Sequence, residues 1–179
     1  MILIMFEGLS ALFDGAKERH VDEGANLFRA DAPITHVFLV RHGCVVLVRP
    51  LANGDAAYLQ RANAGDVVAE ASIYADRYHC DCTAVQDTVL ATLPRQEFRQ
   101  ALRSDADLSE QWAAHLARTV QRTRMRAEIR SLRSVSDRLD AWIAEYGPMP
   151  KKGLWQGVAY ELSVSREALY RELARRRKS

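Results

Sequence analysis

At 179 residues, 48% hydrophobic and 27% charged, the chain can bury a sizeable core and is too evenly mixed to be disordered or fibrous. Its net charge of +2 is unevenly placed: residues 1–103 hold 10 Lys and Arg against 13 Asp and Glu, and residues 104–179 hold 15 against 10. Three cysteines (Cys44, Cys80, Cys82) give no disulfide framework, and the apolar residues 1–6 are too short for a membrane span and lack a signal-peptide pattern, so the expected setting is the cytoplasm with no membrane partner.

Residues 1–30 suggest one or two short helices leading into a strand. From 34 to 93 the texture is β, in the runs His36-Val-Phe-Leu-Val40, Cys44-Val-Val-Leu-Val-Arg49, Ala57-Tyr-Leu-Gln60, Gly65-Asp-Val-Val68, Thr83-Ala-Val85 and Val89-Leu-Ala-Thr-Leu93. Turn signals separate them at His42-Gly43, Asn53-Gly54-Asp55, Asn63-Ala-Gly-Asp66 and Gln86-Asp87. Short strands so spaced predict an antiparallel sandwich or barrel, here a jelly roll.

After Pro94 the period becomes helical. Residues 104–133 read as one helix, with Leu108, Trp112, Leu116, Val120, Met125, Ile129 and Leu132 as an apolar seam. Such a helix would run roughly 45 Å, more than a small domain can cover, so the seam is expected to pair with a copy of itself in a parallel homodimer. Residues 134–146 form a further helix carrying Val135, Leu139, Trp142 and Ile143, and residues 147–153, rich in Gly and Pro, form a connector. The expected class is α+β: a β jelly-roll effector-like domain over 1–103, a dimerisation helix over 104–133, and a small C-terminal domain over 134–179.

That last segment ends in a helix-turn-helix. Val158, Ala159 and Leu162 are the apolar face of the first helix, Ser163-Val164 the turn, Ser165 an N-cap, and Ala168, Leu169 and Leu173 the buried stripe of the second. This packing leaves Ser165, Arg166, Glu167, Tyr170 and Arg171 at or near the outward side of its first turns. Arg can bind guanine O6 and N7 together, and Glu can accept from cytosine N4. Alternating Arg and Glu is also what an ordinary solvated face looks like. Charge favours the DNA reading, since residues 151–179 carry 8 Lys and Arg against 3 Asp and Glu.

The order of parts decides between them. Leu27-Phe-Arg, His36-Val-Phe-Leu-Val-Arg-His-Gly-Cys-Val, Asn53-Gly54, Gly65-Asp66 with Glu70, Leu116-Ala-Arg, Val135-Ser-Asp-Arg-Leu and Ser165-Arg166-Glu167-Ala-Leu-Tyr-Arg171-Glu-Leu173 together resemble the Crp–Fnr family of bacterial transcription regulators over nearly the whole length. The last stretch is the specific match, to the family's Ser-Arg-Glu-x-x-x-Arg-x-Leu recognition helix. The resemblance implies a cyclic-nucleotide-binding-like jelly roll, a dimer helix and a DNA-reading helix. It also implies double-stranded DNA and RNA polymerase as partners, with Arg166, Glu167 and Arg171 reading bases.

Departures from the family pattern narrow the effector. The family's Gly-Glu pair is Ala69-Glu70 here, and its phosphate-holding Arg-Ser pair falls on Tyr78-His79 or Cys80-Asp81, with Arg77 one residue off. Thr123 matches an adenine-contacting position, but its neighbour is Arg124. The candidate effector residues are therefore Glu70, Arg77, Tyr78, His79, Thr123 and Arg124, and cyclic AMP is not the expected ligand. Glu70 reads better as a scaffold residue.

His79-Cys80-Asp81-Cys82 sits near where a haem-based sensor of the family takes ligands, but His79, Cys80 and Cys82 lack the spacing of a zinc site, and three cysteines exclude a four-cysteine iron–sulfur cluster. No metal, haem or other cofactor is expected, and a small-molecule effector stays open. An enzyme is not expected: His36, His42 and His79 are scattered, and no nucleophile–base pairing is visible. Eight residues follow Arg171 where the family has a wing, and the preceding strand pair is reduced to residues 153–155. Arg175-Arg-Arg-Lys178 could supply phosphate contacts, with a frayed terminus as the default. The alternative function is a stand-alone sensor or interaction module of the same fold that does not grip DNA.

Overall fold

The computed structural model describes residues 7–50 and 56–177. The Asn53-Gly54-Asp55 turn, the apolar start and Lys178 lie outside the described residues. The order is α1 (Glu7–Ala11), β1 (Lys17–Val21), β2 (Asn26–Phe28), β3 (His36–His42), β4 (Cys44–Pro50), β5 (Ala56–Asn63), β6 (Val67–Val68), β7 (Asp81–Ala84), β8 (Thr88–Pro94), α2 (Arg95–Ser104), α3 (Ala106–Ser131), α4 (Val135–Tyr146), α5 (Trp155–Glu161) and α6 (Arg166–Arg176). The chain divides into two compact units, residues 1–117 and 118–179.

In the first unit two antiparallel four-stranded sheets, β1-β8-β3-β6 and β2-β7-β4-β5, form the expected β roll. Phe38, Val40 and Leu90 of one sheet meet Val45, Leu47, Ala62, Cys82 and Ala84 of the other in the roll interior. The opposite face of the first sheet, with Val37, Leu39, Val67 and Ala91, packs on Leu9, Phe98, Leu102, Leu108 and Trp112 of the helices and on Phe13 in the turn after α1. β3 is thus buried on both sides, which is why Val37-Phe-Leu-Val40 is an unbroken apolar run instead of an alternating one. β1 was not expected as a separate strand: Lys17-Glu-Arg-His-Val21 is exposed except at Val21, an edge paired to β8 along its length, with the Thr92 hydroxyl donating to the Lys17 carbonyl at 2.8 Å.

The expected helix over 104–133 is α3, Ala106–Ser131, and a separate helix, α2, precedes it. Asp105 adopts an extended backbone, ends α2 and caps α3, its Oδ1 accepting from the Leu108 amide at 3.0 Å. The predicted seam does not stand free along α3. Leu108 and Trp112 enter the core of the first unit, and Ile129 enters that of the second. Leu116, Met125 and Leu132 are half-buried, and only Val120 is exposed. A 3–4 apolar spacing marks the face a helix buries, whatever covers it. The opposite face of α3 presents Ala106, Glu110, Ala113, Ala117, Val120, Arg124, Ala127 and Ser131, all exposed and spaced alternately four and three residues apart.

The second unit is built on Ile129, Leu139, Trp142, Trp155, Val158, Ala159, Leu162 and Leu169. Ser134 caps α4, accepting from the Asp137 amide at 3.0 Å. Residues 152–154 form a 3-10 turn, not the reduced strand expected there.

Candidate nucleic-acid interface

α5 and α6 are joined by a turn that the rest of the second unit holds in place. The Val164 amide bonds back to the Ala159 carbonyl at 3.0 Å, and Ser163 takes the left-handed conformation, with φ 51°. The carbonyls left over at the end of α5 are taken by arginines from elsewhere. Arg130 Nε donates to the Glu161 carbonyl at 2.9 Å and its Nη2 to that of Tyr160 at 3.2 Å. Arg138 Nη1 donates to the Leu162 carbonyl at 3.0 Å. A cation at a helix C-terminus also meets the negative end of the helix dipole. Trp142 Nε1 donates to Glu161 Oε2 at 2.7 Å, tying α4 to α5.

α6 begins where the sequence placed it. The Ser165 hydroxyl accepts from the Ala168 amide at 3.1 Å, and Leu169, fully buried, sets which face turns inward. Ser165, Arg166, Glu167 and Arg171 are exposed, so the five expected residues come together on the first two turns. Tyr170 differs from the other four. It is half-buried, its ring packs edge-on against Trp155 with centroids 5.1 Å apart, and the Arg166 guanidinium lies 5.2 Å from it. Tyr170 thus steers Arg166. The Glu167 carboxyl is held below its ordinary range, first by its own backbone amide and the Ser165 hydroxyl, then by Arg166 and Arg171.

The far end of α6 is braced. Arg176 Nη1 lies 2.6 Å from Asp140 Oδ1 and its Nε 2.7 Å from Glu172 Oε1, while Arg175 Nη2 lies 2.8 Å from the same Glu172 oxygen. Arg176 Nη2 also donates to the Ser136 carbonyl at 3.0 Å. The expected frayed terminus is, through Arg176, a lock onto α4. Arg177 lies over the Trp155 ring at 5.7 Å. Arg130 and Arg138 were not singled out by sequence because their partners are backbone carbonyls 24 to 31 residues away.

The expected effector residues divide between the two units. Glu70 is buried, and its Oε2 accepts from Gln60 Nε2 at 3.0 Å. Ala69 before it has φ 54°, a left-handed position where the resemblance calls for Gly. Arg77 is exposed and donates from Nη1 to the Asp31 carbonyl at 2.6 Å. Tyr78 is a core residue, stacked on Phe28 with centroids 3.6 Å apart, and burial pushes its phenol up to about 12. The His79 side chain is exposed, and Asp81 accepts from the Ala30 amide at 2.7 Å. Thr123 and Arg124 are exposed residues of the second unit, the Thr123 hydroxyl 3.3 Å from Arg126 Nη2. Cys44, Cys80 and Cys82 are buried with their thiols pushed up by desolvation. Among the described residues no group of His, Cys, Asp or Glu could hold a metal ion, and no helix is long and apolar enough to cross a membrane.

Residues 18–105 match the family described as the cyclic nucleotide-binding domain. No curated protein matches the chain by sequence. Among solved structures it is similar to FixK2 from Bradyrhizobium japonicum, at TM-score 0.76 and 17% identity over 89% of this chain and 83% of that one. It is also similar to the c-di-GMP-responsive global regulator CLP of Xanthomonas campestris, at TM-score 0.70 and 19% identity over 95% and 90%. The catabolite activator protein of Thermus thermophilus gives TM-score 0.57 and 21% identity over 95% and 84%. The fold is the one the Crp–Fnr resemblance implied: an N-terminal antiparallel β domain of the cyclic-nucleotide-binding type and a C-terminal helical part.

Proposed function

We propose that this chain, with the fold of the Crp–Fnr regulators, is a homodimeric transcription regulator that binds specific DNA sequences through α6 and does not respond to cyclic AMP. The observation that carries the reading is the presentation of Arg166, Glu167 and Arg171, exposed together on the first turns of a helix fixed at both ends. A rigid helix with base-reading groups on its N-terminal turns suits the major groove. Proteins sharing the fold include regulators by name, CLP among them.

Dimerisation is assigned to the exposed face of α3. Its spacing of four and three residues is a heptad, with Glu110, Ala117, Arg124 and Ser131 at the a positions and Ala106, Ala113, Val120 and Ala127 at the d positions. Two copies paired in parallel there would offer two α6 helices to a two-fold symmetric operator with half-sites roughly 34 Å apart. RNA polymerase is the further partner this reading implies. Against cyclic AMP, the positions that match the family's phosphate-holding pair carry no fixed cation: Tyr78 is stacked in the core, Arg77 donates to the Asp31 carbonyl, and Asp81 is itself an anion.

The test is selection of bound duplexes from a random-sequence pool by the full chain at low salt. Enrichment of a two-fold symmetric motif, lost with Arg171→Ala while the fold is kept, is the expected result. A folded dimer that enriches nothing would mean the stand-alone module instead.

A further inference from the structure

We infer that an oxyanion carrying at least two charges, of the phosphate-bearing class, binds on the two-fold axis between paired α3 helices, held by Arg124 from each copy. The inference rests on the dimer reading above and names what regulates it. Arg124 occupies an a position of the exposed heptad, between Val120 and Ala127 at d positions. In a parallel pair each a residue faces its own copy, so two guanidiniums would meet across the axis and repel.

Among the described residues Arg124 makes no ion pair, although Glu128 lies one turn further on. Residues 118–133 hold six arginines (118, 122, 124, 126, 130 and 133) against the single acid Glu128, a higher density of positive charge than the helix-turn-helix itself. Of these, Arg130 is committed to the carbonyls of α5, and Arg126 leans on the Thr123 hydroxyl. Thr123, exposed and adjacent, keeps a hydroxyl proton to donate, and Ala127 is small enough to leave room between the helices.

The chemistry selects the ligand. A guanidinium presents a planar fork that pairs with two phosphate oxygens, and a ligand with two or more charges can satisfy both forks at once, which chloride or a single carboxylate cannot. The empty pair is disfavoured and the filled pair is cross-linked by charge, so dimerisation, and with it DNA binding, follows the anion.

Sedimentation equilibrium of the full chain, in chloride and in inorganic pyrophosphate at equal ionic strength, tests this. Pyrophosphate is expected to tighten the wild-type dimer by about ten-fold or more. Arg124→Leu is expected to dimerise more tightly than wild type in chloride and to ignore pyrophosphate. Arg133→Gln, which removes the same charge outside α3, should keep the full response. A wild-type dimer indifferent to pyrophosphate, or an equal response in Arg124→Leu, overturns the site and leaves Arg124 as a register-setting residue. Single chains in every condition, for wild type and Arg124→Leu alike, overturn the dimer reading and the site together.

Discussion

The guanidinium of Arg138 sits 3.0 Å from the Leu162 carbonyl and, through its second edge, 2.8 Å from that of Leu132, so one side chain joins the end of α3 to the turn before α6. Lysine has donors to spare but no planar fork to hold both carbonyls in this fixed geometry. Arg138→Lys is therefore expected to lower the stability of the second unit by about 1.5–3 kcal/mol, the range for hydrogen bonds to a charged group. Urea unfolding followed by tryptophan fluorescence checks it, because Trp142 and Trp155 report that unit and Trp112 the other.

Ser163 and Ala69 share left-handed backbones and differ in burial, at φ 51° and 54° respectively. An L side chain there costs about 1–2 kcal/mol relative to glycine. Ser163 is exposed, so Ser163→Gly should raise stability by about 1 kcal/mol. Ala69 is 5% exposed, and losing its methyl gives back about 0.8 kcal/mol, leaving Ala69→Gly close to neutral. Thermal melts of the two variants should separate them; a gain at Ala69 as large as that at Ser163 contradicts the argument.

Glu172 is held down to about 2 by hydrogen bonds from Arg175 and Arg176, and its side chain is 10% exposed. A carboxyl depressed in the folded state contributes stability that is present above its unfolded value, near 4.5, and is lost as pH falls toward 2. Wild type should therefore lose stability of the second unit over that window more steeply than Glu172→Gln. Parallel curves for the two proteins between pH 5 and 2 would show that the lock carries no linkage.

The two faces of α3 should respond to mutation in different ways. Val120 is 48% exposed, so Val120→Glu should leave each chain folded while weakening the dimer. Leu108 is 6% exposed inside the first core, so Leu108→Ala should cost about 2–5 kcal/mol of stability instead. Circular dichroism and light scattering on both variants tell these outcomes apart; a monomer from Leu108→Ala at unchanged stability would restore the seam first expected.

Local pattern carried much of this structure in the sequence. The β3–β4 hairpin turns at Gly43 with φ 89°, and the Ser165 cap, the buried Leu169 and the exposed Arg166 and Arg171 all follow from short-range chemistry. What escaped depended on partners far along the chain. β1 has no apolar alternation, because only Val21 at its end is buried and its pairing partner β8 lies some seventy residues on. The seam of α3 reads the same whether a copy or the chain's own cores cover it, and only burial at Leu108, Trp112 and Ile129 decides. Arg175 and Arg176 read as a loose basic tail until Asp140 and Glu172, one of them on another helix, are seen to hold them.

Cys44, Cys80 and Cys82 all lie within the first unit at 1% exposure or less, with thiols shifted away from the reactive thiolate. Alkylating reagents can therefore reach them only when the roll opens. The pace of their modification is a built-in clock for that opening, readable by mass without any label, and it reports on the β domain alone.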